Sequence, residues 1–229
     1  MTRALARFLG PQATVYGLDV SPEHILYARQ MAEGEGLTNV RYLVGDLFAS
    51  LDELPVGFDL VCEKYVLMYK VPKKQGLAFI SEMKRRARPG GKIVCIEADI
   101  NFGQERYPPP SESLSRLLTQ IVHYYREQEL IEWRCGVQLY HHMSMAGLSD
   151  LNIDLVDSRT IAGGFPEQLV RHDNEDVEEL IRPCMERLDI PESIDEMARQ
   201  WREYLSSPDS FLYTPIFMGM GTVDQPAVA

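Results

Sequence analysis

Residues 14–20 read TVYGLDV, and this stretch decides the fold. TVYGL is a short apolar run that reads as a strand, and it is followed at once by Asp19 and by a helix start at Ser21-Pro22. Serine is a preferred N-cap residue and proline fits the first position of a helix. A strand that leads directly into a helix begins a βαβ unit, so this segment predicts an α/β protein with a parallel sheet.

The same alternation of strands and helices extends on both sides, from residue 1 to about residue 100. Residues 2–9 predict a helix, and the helix that begins at Ser21 is expected to end near Gly34 or Gly36. A further helix is predicted over residues 71–87, ended by a turn at RPGG. Three more short apolar runs read as strands: VRYLV at 40–44, FDLVC at 58–62 and KIVCIEA at 92–98.

The pattern becomes mainly helical after residue 100. A proline-rich loop at 101–113 precedes two helices, predicted over 114–133 and 137–146. Strands at 151–156 and 217–223 are expected to form a closing antiparallel hairpin. We expect one domain with four parts: an α/β core over 1–100, a helical region with a late strand over 101–165, a helical insertion or lid over 166–206, and a final strand and tail over 207–229.

Composition excludes several classes of protein. The 229 residues are 45% hydrophobic and carry a net charge of -11, which is too apolar for a disordered chain and argues against a nucleic-acid partner. Apolar runs long enough to span a membrane do not occur in the sequence. The four cysteines lie far apart, with no CxxC pair, so we predict free thiols, a cytoplasmic location and no metal site.

Two acidic residues follow predicted strands at positions where ligands bind. Asp19 follows the strand at 14–18, and Asp46 follows Gly45 after the strand at 40–44. In open parallel sheets ligands bind beyond the carboxyl ends of the strands, where a carboxylate can accept both hydroxyl hydrogens of a ribose. Each aspartate also has a purely structural interpretation: Asp19 as a helix cap, and Asp46 as part of an ordinary Gly-Asp turn.

Taken in order, these features resemble the class I S-adenosylmethionine (AdoMet)-dependent methyltransferases of the small-molecule group. The resemblance is carried by the two aspartates, by FDLVCEKYVLMY at 58–69 and by RPGGKIVCIEAD at 88–99, and more loosely by LYHHMSMAGLSDLNIDLVD at 139–157. It implies a Rossmann-like, mostly parallel sheet with helices on both faces, an antiparallel closing strand and a helical insertion. It also implies transfer of a methyl group from AdoMet to a small organic molecule.

The resemblance assigns cofactor roles at the first two strand ends. Asp19 matches the residue that holds the ribose hydroxyls of AdoMet, and Val20 would line the adenine slot. Asp46 matches the residue that accepts from the adenine amine, and Leu47 would offer a backbone contact to the edge of the ring.

The third strand end is assigned to the methionine side of the cofactor. Glu63 and Lys64 match positions near the methionine moiety and the methyl acceptor, and Tyr65 and Tyr69 would cover that pocket. For any single one of these four residues, helix-start or core packing is the favoured explanation.

Three histidines are candidate catalytic residues. If the acceptor is a hydroxyl or an amine, a general base helps to remove its proton, and His123, His141 and His142 are the candidates in this sequence. All three lie in predicted helices and can equally serve as core or surface residues. A homodimer is predicted as one possible assembly of the chain.

The sequence departs from the family at its amino terminus. The family fold begins with a strand and a glycine-rich loop close to DxGCGxG, whereas residues 1–19 correspond to the helix after that loop and the strand that follows it. The missing strand belongs in the middle of the sheet. We therefore expect a truncated chain, or a Met1 that is internal to a longer reading frame, and a strand supplied by another chain is the third alternative.

Two other functions stay open at this point. A nicotinamide-dependent Rossmann oxidoreductase also places an acidic residue after its second strand, but the Gly45-Asp46 pair and the closing hairpin favour the methyltransferase. A non-catalytic methyltransferase-like fragment or interaction module is the second alternative, since the glycine-rich loop is lacking. Binding of AdoMet or of a nicotinamide nucleotide distinguishes these possibilities.

Overall fold

The computed structural model describes residues 1–49, 53–99, 105–165, 182, 184–187 and 192–224. The helices in these ranges are α1 (Thr2–Leu9), α2 (Pro22–Gly34), α3 (Leu67–Lys70), α4 (Gly76–Arg86), α5 (Glu112–Glu127), α6 (Leu139–Met145) and α7 (Ile194–Ser206). The strands are β1 (Val15–Asp19), β2 (Val40–Val44), β3 (Phe58–Lys64), β4 (Ala87–Ala98), β5 (Glu105–Tyr107), β6 (Ser149–Ala162) and β7 (Phe211–Thr222).

The strands form two ladders. In the first, β1 pairs in parallel with β2. In the second, β3 pairs in parallel with β4, β4 pairs antiparallel with β7, and β7 also pairs antiparallel with β5 and β6. Within the described residues no ladder joins β1 to β3. The α/β, Rossmann-like class is confirmed, and the division between the ladders lies in the middle of the expected sheet.

The β1–α2–β2 unit has the local structure that its sequence predicts. The Ser21 side chain caps α2 by accepting from the backbone N–H of His24 at 3.2 Å, and Pro22 is the first helical residue. The helix ends at Gly34, and Gly36 takes a left-handed φ of 66° as the chain turns toward β2. This cap fixes the direction of α2 immediately after Asp19.

Replacing Ser21 by alanine is expected to destabilise the protein by about 1 kcal/mol, because the hydroxyl cap is lost and no other side chain replaces it. The free energy of unfolding in urea measures this change. Ser21→Asn, which restores a capping oxygen, is the matched control and should recover most of the loss. Equal destabilisation in both variants would show that the cap is not the cause.

A small core packs beneath α2, against the two-stranded ladder. Its buried members are Ile25, Ala32 and Tyr42. Asn39 ties α1 to this unit, because its side-chain N–H donates to Ala6 O at 3.0 Å and to Gly10 O at 2.8 Å. The unit therefore has a core of its own, separate from the rest of the buried residues.

The main core lies between the five-stranded ladder and the helices from α3 to α6. Its fully buried members include Leu67, Ile80, Met83, Ile93, Cys95, Leu117, Leu139 and Met143. A third cluster joins α5 and α7 to β7 through Leu114, Trp201 and Leu212. In the part of the chain that the structure describes, no helix has both the length and the apolar content needed to cross a bilayer.

The helix predicted over residues 71–87 is present as α4, but it begins five residues later, at Gly76, and ends at Arg86. Residues 71–75 form the turn between α3 and α4. Pro72 lacks the N–H that would continue a helical ladder, and Lys74 takes a left-handed φ of 57°. Backbone hydrogen bonds from Gln75 N to Lys70 O and from Lys74 N to Val71 O, both 2.9 Å, close this turn.

The turn predicted at RPGG is wrong, because these residues form a bulge within β4. Phe58 pairs with Ala87, and the next pair is Leu60 with Lys92. Between these two pairs β3 advances by two residues, whereas β4 advances by five. The bulge is held on its outer side by Val223, which accepts from Gly90 N at 2.8 Å and donates to Gly91 O at 2.9 Å.

The later elements keep the predicted order with different limits. The helix predicted over 114–133 is α5, which ends at Glu127, and the one over 137–146 is a short 3-10 turn (Gly136–Gln138) followed by α6. The predicted closing hairpin is confirmed, since β6 pairs antiparallel with β7. The insertion expected at 166–206 contains α7, while 166–181, 183 and 188–191 lie outside the described residues.

Candidate functional site

Asp19 is the last residue of β1, and its carboxylate lies at the start of α2. Oδ1 accepts from the backbone N–H of Ser21 at 2.9 Å and lies 3.5 Å from His24 Nδ1. Since Ser21 caps the helix, capping does not require Asp19. Within the described residues Oδ2 makes no hydrogen bond, and the side chain is 43% exposed. One carboxylate oxygen is therefore available to the donors of a ligand.

Asp46 occupies the equivalent place after β2. Its Oδ1 accepts from the backbone N–H of Phe48 at 3.0 Å, and its Oδ2 lies 3.4 Å from Lys70 Nζ. The Lys70 ammonium also lies 5.1 Å from the centroid of the Phe48 ring. Lys70 is the last residue of α3, so this contact joins the β2 end to the helix that follows β3.

The register of the first ladder brings the two aspartates to one edge. Asp19 pairs with Val44, and Gly45 N donates to Asp19 O at 2.9 Å. Asp46 follows Gly45 directly, so both carboxylates lie just beyond the carboxyl ends of neighbouring parallel strands. That is the edge at which open α/β sheets bind nucleotides.

Apolar side chains surround these strand ends. Val20, after β1, is 66% exposed, and Val44 and Phe48 are also exposed beside Asp46. Leu47 is partly buried and packs against the main core. Exposed apolar groups next to carboxylates suit a flat heteroaromatic ring, whose faces need apolar contact and whose edge needs polar contact.

Glu63 and Lys64 end β3 in opposite surroundings. Glu63 is only 5% exposed, and its Oε2 accepts from the backbone N–H groups of Val66 and Leu67 at 3.0 and 3.4 Å. Lys64 is exposed, and its ammonium lies 4.9 Å from the centroid of the Tyr65 ring. The structure thus brings Lys64 toward solvent and Glu63 into the interior, and their contact with a cofactor stays a prediction.

A family model described as a methyltransferase domain matches residues 1–146, which is more than half of the chain. The chain belongs to this methyltransferase-domain family. The match includes both aspartates, all of α3 and α4, and the residues of β3 and β4.

Curated relatives of this methyltransferase-domain protein include demethylmenaquinone methyltransferases. The one from Geobacillus stearothermophilus is 33% identical over 102 residues, which are 42% of this chain and 39% of that protein. The one from Geobacillus sp. strain WCH70 is 32% identical over 116 residues, 46% of this chain and 45% of that protein. The chain therefore matches less than half of the length of these relatives.

Solved structures share the fold at low sequence identity. Phosphoethanolamine N-methyltransferase 2 of Haemonchus contortus, in complex with phosphomonomethylethanolamine and S-adenosylhomocysteine, is 17% identical with a TM-score of 0.50, covering 93% of this chain and 44% of that one. The [4+2]-cyclase SpnF is 14% identical with a TM-score of 0.52, covering 97% of this chain and 71% of that one. At these identities the likeness concerns the fold alone.

The three candidate catalytic histidines are divided between two helices of the methyltransferase domain. His123 is exposed on α5, whereas His141 and His142 are neighbours on α6, with ring centroids 5.4 Å apart. The latter two line a surface cavity of about 190 Å³ beside the α3–α4 turn, together with Val71, Lys74, Gly76, Leu77 and Met145. Neither aspartate lines this cavity.

His142 has the chemistry of a neutral imidazole. Partial burial, followed by the neighbouring His141, lowers the pKa of His142, so its basic form predominates at neutral pH. Its Nε2 lies 3.4 Å from Gln138 Oε1. Among the described residues, no three histidine, cysteine, aspartate or glutamate side chains are grouped so as to hold a metal ion.

Two charged residues of this region were not singled out from the sequence. Lys70 is recognisable only once α3 is in place, since its contact with Asp46 spans 24 positions. Glu97 carries a stronger signal, because a carboxylate inside the otherwise apolar strand KIVCIEA needs a partner wherever that strand is buried.

Proposed function

We propose that this chain binds AdoMet at the edge formed by β1 and β2 and transfers its methyl group to a small organic molecule. The observation that carries the proposal is the placement of Asp19 and Asp46 at neighbouring strand ends, in a chain of the methyltransferase-domain family. The structural likeness to solved methyltransferase-fold proteins supports the fold, and the geometry of the two strand ends supports the cofactor.

The adenosine end of AdoMet fits the residues present. Asp19 Oδ2 is positioned to accept from ribose hydroxyls, while Oδ1 stays fixed by the Ser21 N–H. Asp46 would accept from the adenine amine, with Val20 and Phe48 contacting the faces of the ring. Leu47, beside Asp46, would contribute its backbone to the ring edge.

When bound, AdoMet supplies a methyl group on a positively charged sulfur. The chain contributes alignment and exclusion of water, which are the main protein contributions to such an in-line displacement. Tyr65 and Tyr69 follow β3 and would cover the reacting region, where an aromatic face also favours a sulfonium. His141 or His142 would accept a proton from a hydroxyl or amine acceptor, and His123 stays the alternative.

A small organic acceptor is supported by the relatives, whose names specify demethylmenaquinone as their substrate. The net charge of -11 disfavours a polyphosphate partner. A cytoplasmic location and a possible homodimer stay predictions.

Calorimetric titration with AdoMet tests the proposal, with a nicotinamide nucleotide as the comparison ligand. We expect saturable binding of AdoMet at one site and no binding of the nucleotide. Binding of the nucleotide alone would overturn the proposal. Transfer is tested separately by incubating the protein with methyl-labelled AdoMet and a panel of small quinol, phenol and amine acceptors.

Asp46→Ala is expected to raise the dissociation constant for AdoMet about tenfold, because a hydrogen bond to a charged group contributes roughly 1.5–3 kcal/mol. The matched control is Asp209→Ala, which removes an exposed carboxylate from the turn before β7 and should leave binding unchanged. If Asp46→Ala binds AdoMet as the wild type does, the adenine assignment fails.

The division between β1 and β3 favours a second candidate, a domain that binds the cofactor without transferring its methyl group. This candidate predicts binding of AdoMet and of S-adenosylhomocysteine with no label transferred to any acceptor. Transfer to a single acceptor of the panel would exclude it.

A further inference from the structure

Two carboxyl groups lie inside the five-stranded ladder, next to one another. Glu97 of β4 has no exposed surface, and Glu63 of β3 is 5% exposed. In the parallel β3–β4 register Glu63 pairs with Cys95. Alternate residues of a strand point to the same face of a sheet, so Glu97, two residues after Cys95, shares that face. The two side chains hydrogen-bond to each other.

The other oxygens of this pair hold the start of α3. Glu63 Oε2 accepts from the backbone N–H groups of Val66 and Leu67, and Glu97 Oε1 accepts from that of Met68 at 3.2 Å. These are N–H groups that the first turn of a helix leaves without a helical partner. A helix as short as α3 does not form on its own, so it depends on such contacts.

The remaining oxygens, Glu63 Oε1 and Glu97 Oε2, are buried and receive no N–H or hydroxyl donor within the described residues. The Cys95 thiol, which is only a weak donor, hydrogen-bonds to Glu63. Two ionised carboxylates would leave both oxygens unsatisfied in a region of low dielectric constant, at a cost of several kcal/mol. A single proton on one carboxyl satisfies both oxygens at once. The geometry therefore favours a pair that carries a proton.

The surroundings of the pair favour the same conclusion. Burial raises the pKa of both carboxyls, and the charge of Glu63 raises that of Glu97 further. The titratable groups on the elements packed around the pair include Cys62, Cys95, Asp99, Glu132, Arg134 and Cys135. Arg126, a cation of this region, pairs with Glu132 at 3.5 Å instead.

The pair is connected to the candidate cofactor cleft through α3. The start of this helix rests on the two carboxyls, and its last residue, Lys70, contacts Asp46 across the division between the ladders. The whole helix is four residues long. Displacement of the start of α3 would therefore move the Lys70 ammonium relative to Asp46.

We propose that Glu63 and Glu97 share one proton and act together as positioning residues, holding the N-terminus of α3 and thereby Lys70 against Asp46. The shared proton is a property of the folded chain alone. Its relevance to AdoMet rests on the function proposed above, because Asp46 belongs to that site.

A shared proton makes stability depend on pH in a defined direction. Both carboxyls hold protons more tightly in the folded state than in the unfolded chain, where an ordinary glutamate is ionised above about pH 5. The folded state is therefore favoured at low pH and loses stability as pH rises. If the pair retains one proton that the unfolded chain releases, the unfolding equilibrium constant rises about tenfold per pH unit.

Urea unfolding of the ligand-free protein between pH 6.8 and 7.4 tests this inference. The lower limit avoids most of the titration of His142, and the upper limit avoids most of that of the cysteines. We expect the tenfold rise per pH unit in the wild type and in Glu33→Gln, which makes the same chemical change at an exposed position of α2.

Glu97→Gln and Glu63→Gln are each expected to remove this pH dependence. A glutamine amide donates to the remaining carboxylate and its carbonyl oxygen still accepts from the start of α3, so no proton is needed. A residue with only a space-filling role would not alter the slope. A slope in either glutamine variant equal to that of the wild type, or no slope in the wild type, would overturn the shared proton.

Hydrogen–deuterium exchange of the ligand-free protein tests the positioning role. Glu97→Leu removes the acceptor of the Met68 N–H, and we expect at least about fivefold faster exchange at residues 66–70 and at residues 46–48 than in Glu33→Gln. If Glu97→Leu does not fold, Glu97→Asp, whose shorter side chain retracts from Met68, provides the same comparison. Unchanged exchange at residues 46–48 would disconnect the pair from the cleft, whether or not the protein binds AdoMet.

Discussion

Asp19→Ala should weaken the binding of AdoMet by about 100-fold or more, the largest effect on affinity that we expect from a single substitution. In the proposed site the carboxylate would accept from two ribose hydroxyls, and each hydrogen bond to a charged group contributes roughly 1.5–3 kcal/mol. Losing both exceeds the roughly 2.7 kcal/mol that corresponds to a 100-fold change in the dissociation constant. Calorimetric titration at constant pH and salt measures it.

Two further variants separate the ligand contact from a local structural effect. Asp19→Asn keeps an oxygen for the Ser21 N–H but removes the charge, and we expect intermediate affinity. Asp59→Ala removes an exposed carboxylate near the start of β3, at the edge of the sheet opposite to the candidate site, where Asp59 pairs with Arg88. This variant should bind AdoMet normally. Unaltered binding by Asp19→Ala would remove the assignment of the cofactor to this edge.

Gly91→Ala should destabilise the protein by about 3 kcal/mol, at the upper end of what overpacking costs. A Cβ atom at this position would lie 2.8 Å from Arg88 O and 2.9 Å from Phe58 O. Both are backbone oxygens of the β3–β4 bulge, so the methyl group cannot be accommodated by rotating a side chain. The free energy of unfolding in urea measures the loss.

Gly34→Ala is the matched control for Gly91→Ala. Gly34 is the last residue of α2, and a Cβ there meets no atom within 4 Å. Alanine is favoured over glycine in helices, so this change should be neutral or stabilise the protein by up to about 1 kcal/mol. Equal stability of the Gly91→Ala variant and the wild type would mean that the bulge is not as tightly closed as described.

Local chemistry was sufficient to predict the β1–α2–β2 unit. The strand at 40–44, the cap at Ser21 and the end of α2 at Gly34 all follow from residues within a few positions of one another. The neighbouring placement of Asp19 and Asp46 follows as well, because parallel strands joined by one helix present their carboxyl ends at the same edge.

Features that depend on distant residues could not be predicted in the same way. The RPGG segment has the composition of a turn, yet pairing with β3 and contacts with Val223 hold it within β4 as a bulge. In the prediction of a helix over 71–87, the helical periodicity outweighed the single proline, Pro72, near the start of that segment. Tertiary contacts decided the first case, whereas Pro72 is a local signal that the periodicity concealed.

The candidate site was predictable only in part. Sequence motifs identified the two aspartates, but they gave no indication that Lys70 would contact Asp46, nor that Glu63 would face Glu97 inside the sheet. Those contacts require the relative placement of β2, α3 and β4. The histidines illustrate the same limit, because residue type alone did not distinguish the cavity-lining pair on α6 from the exposed His123.

The separation of the two ladders affects how tightly a nucleotide can be held. Asp19 and Asp46 both belong to the smaller unit, whose connection to the larger one includes the Lys70 ion pair and the contact of the Tyr16 and Phe58 rings, 5.5 Å between centroids. If a unit of this kind opens independently of the rest of the protein, its open state competes with ligand. Rigidifying it would strengthen cofactor binding without any new contact to the cofactor, simply through preorganisation.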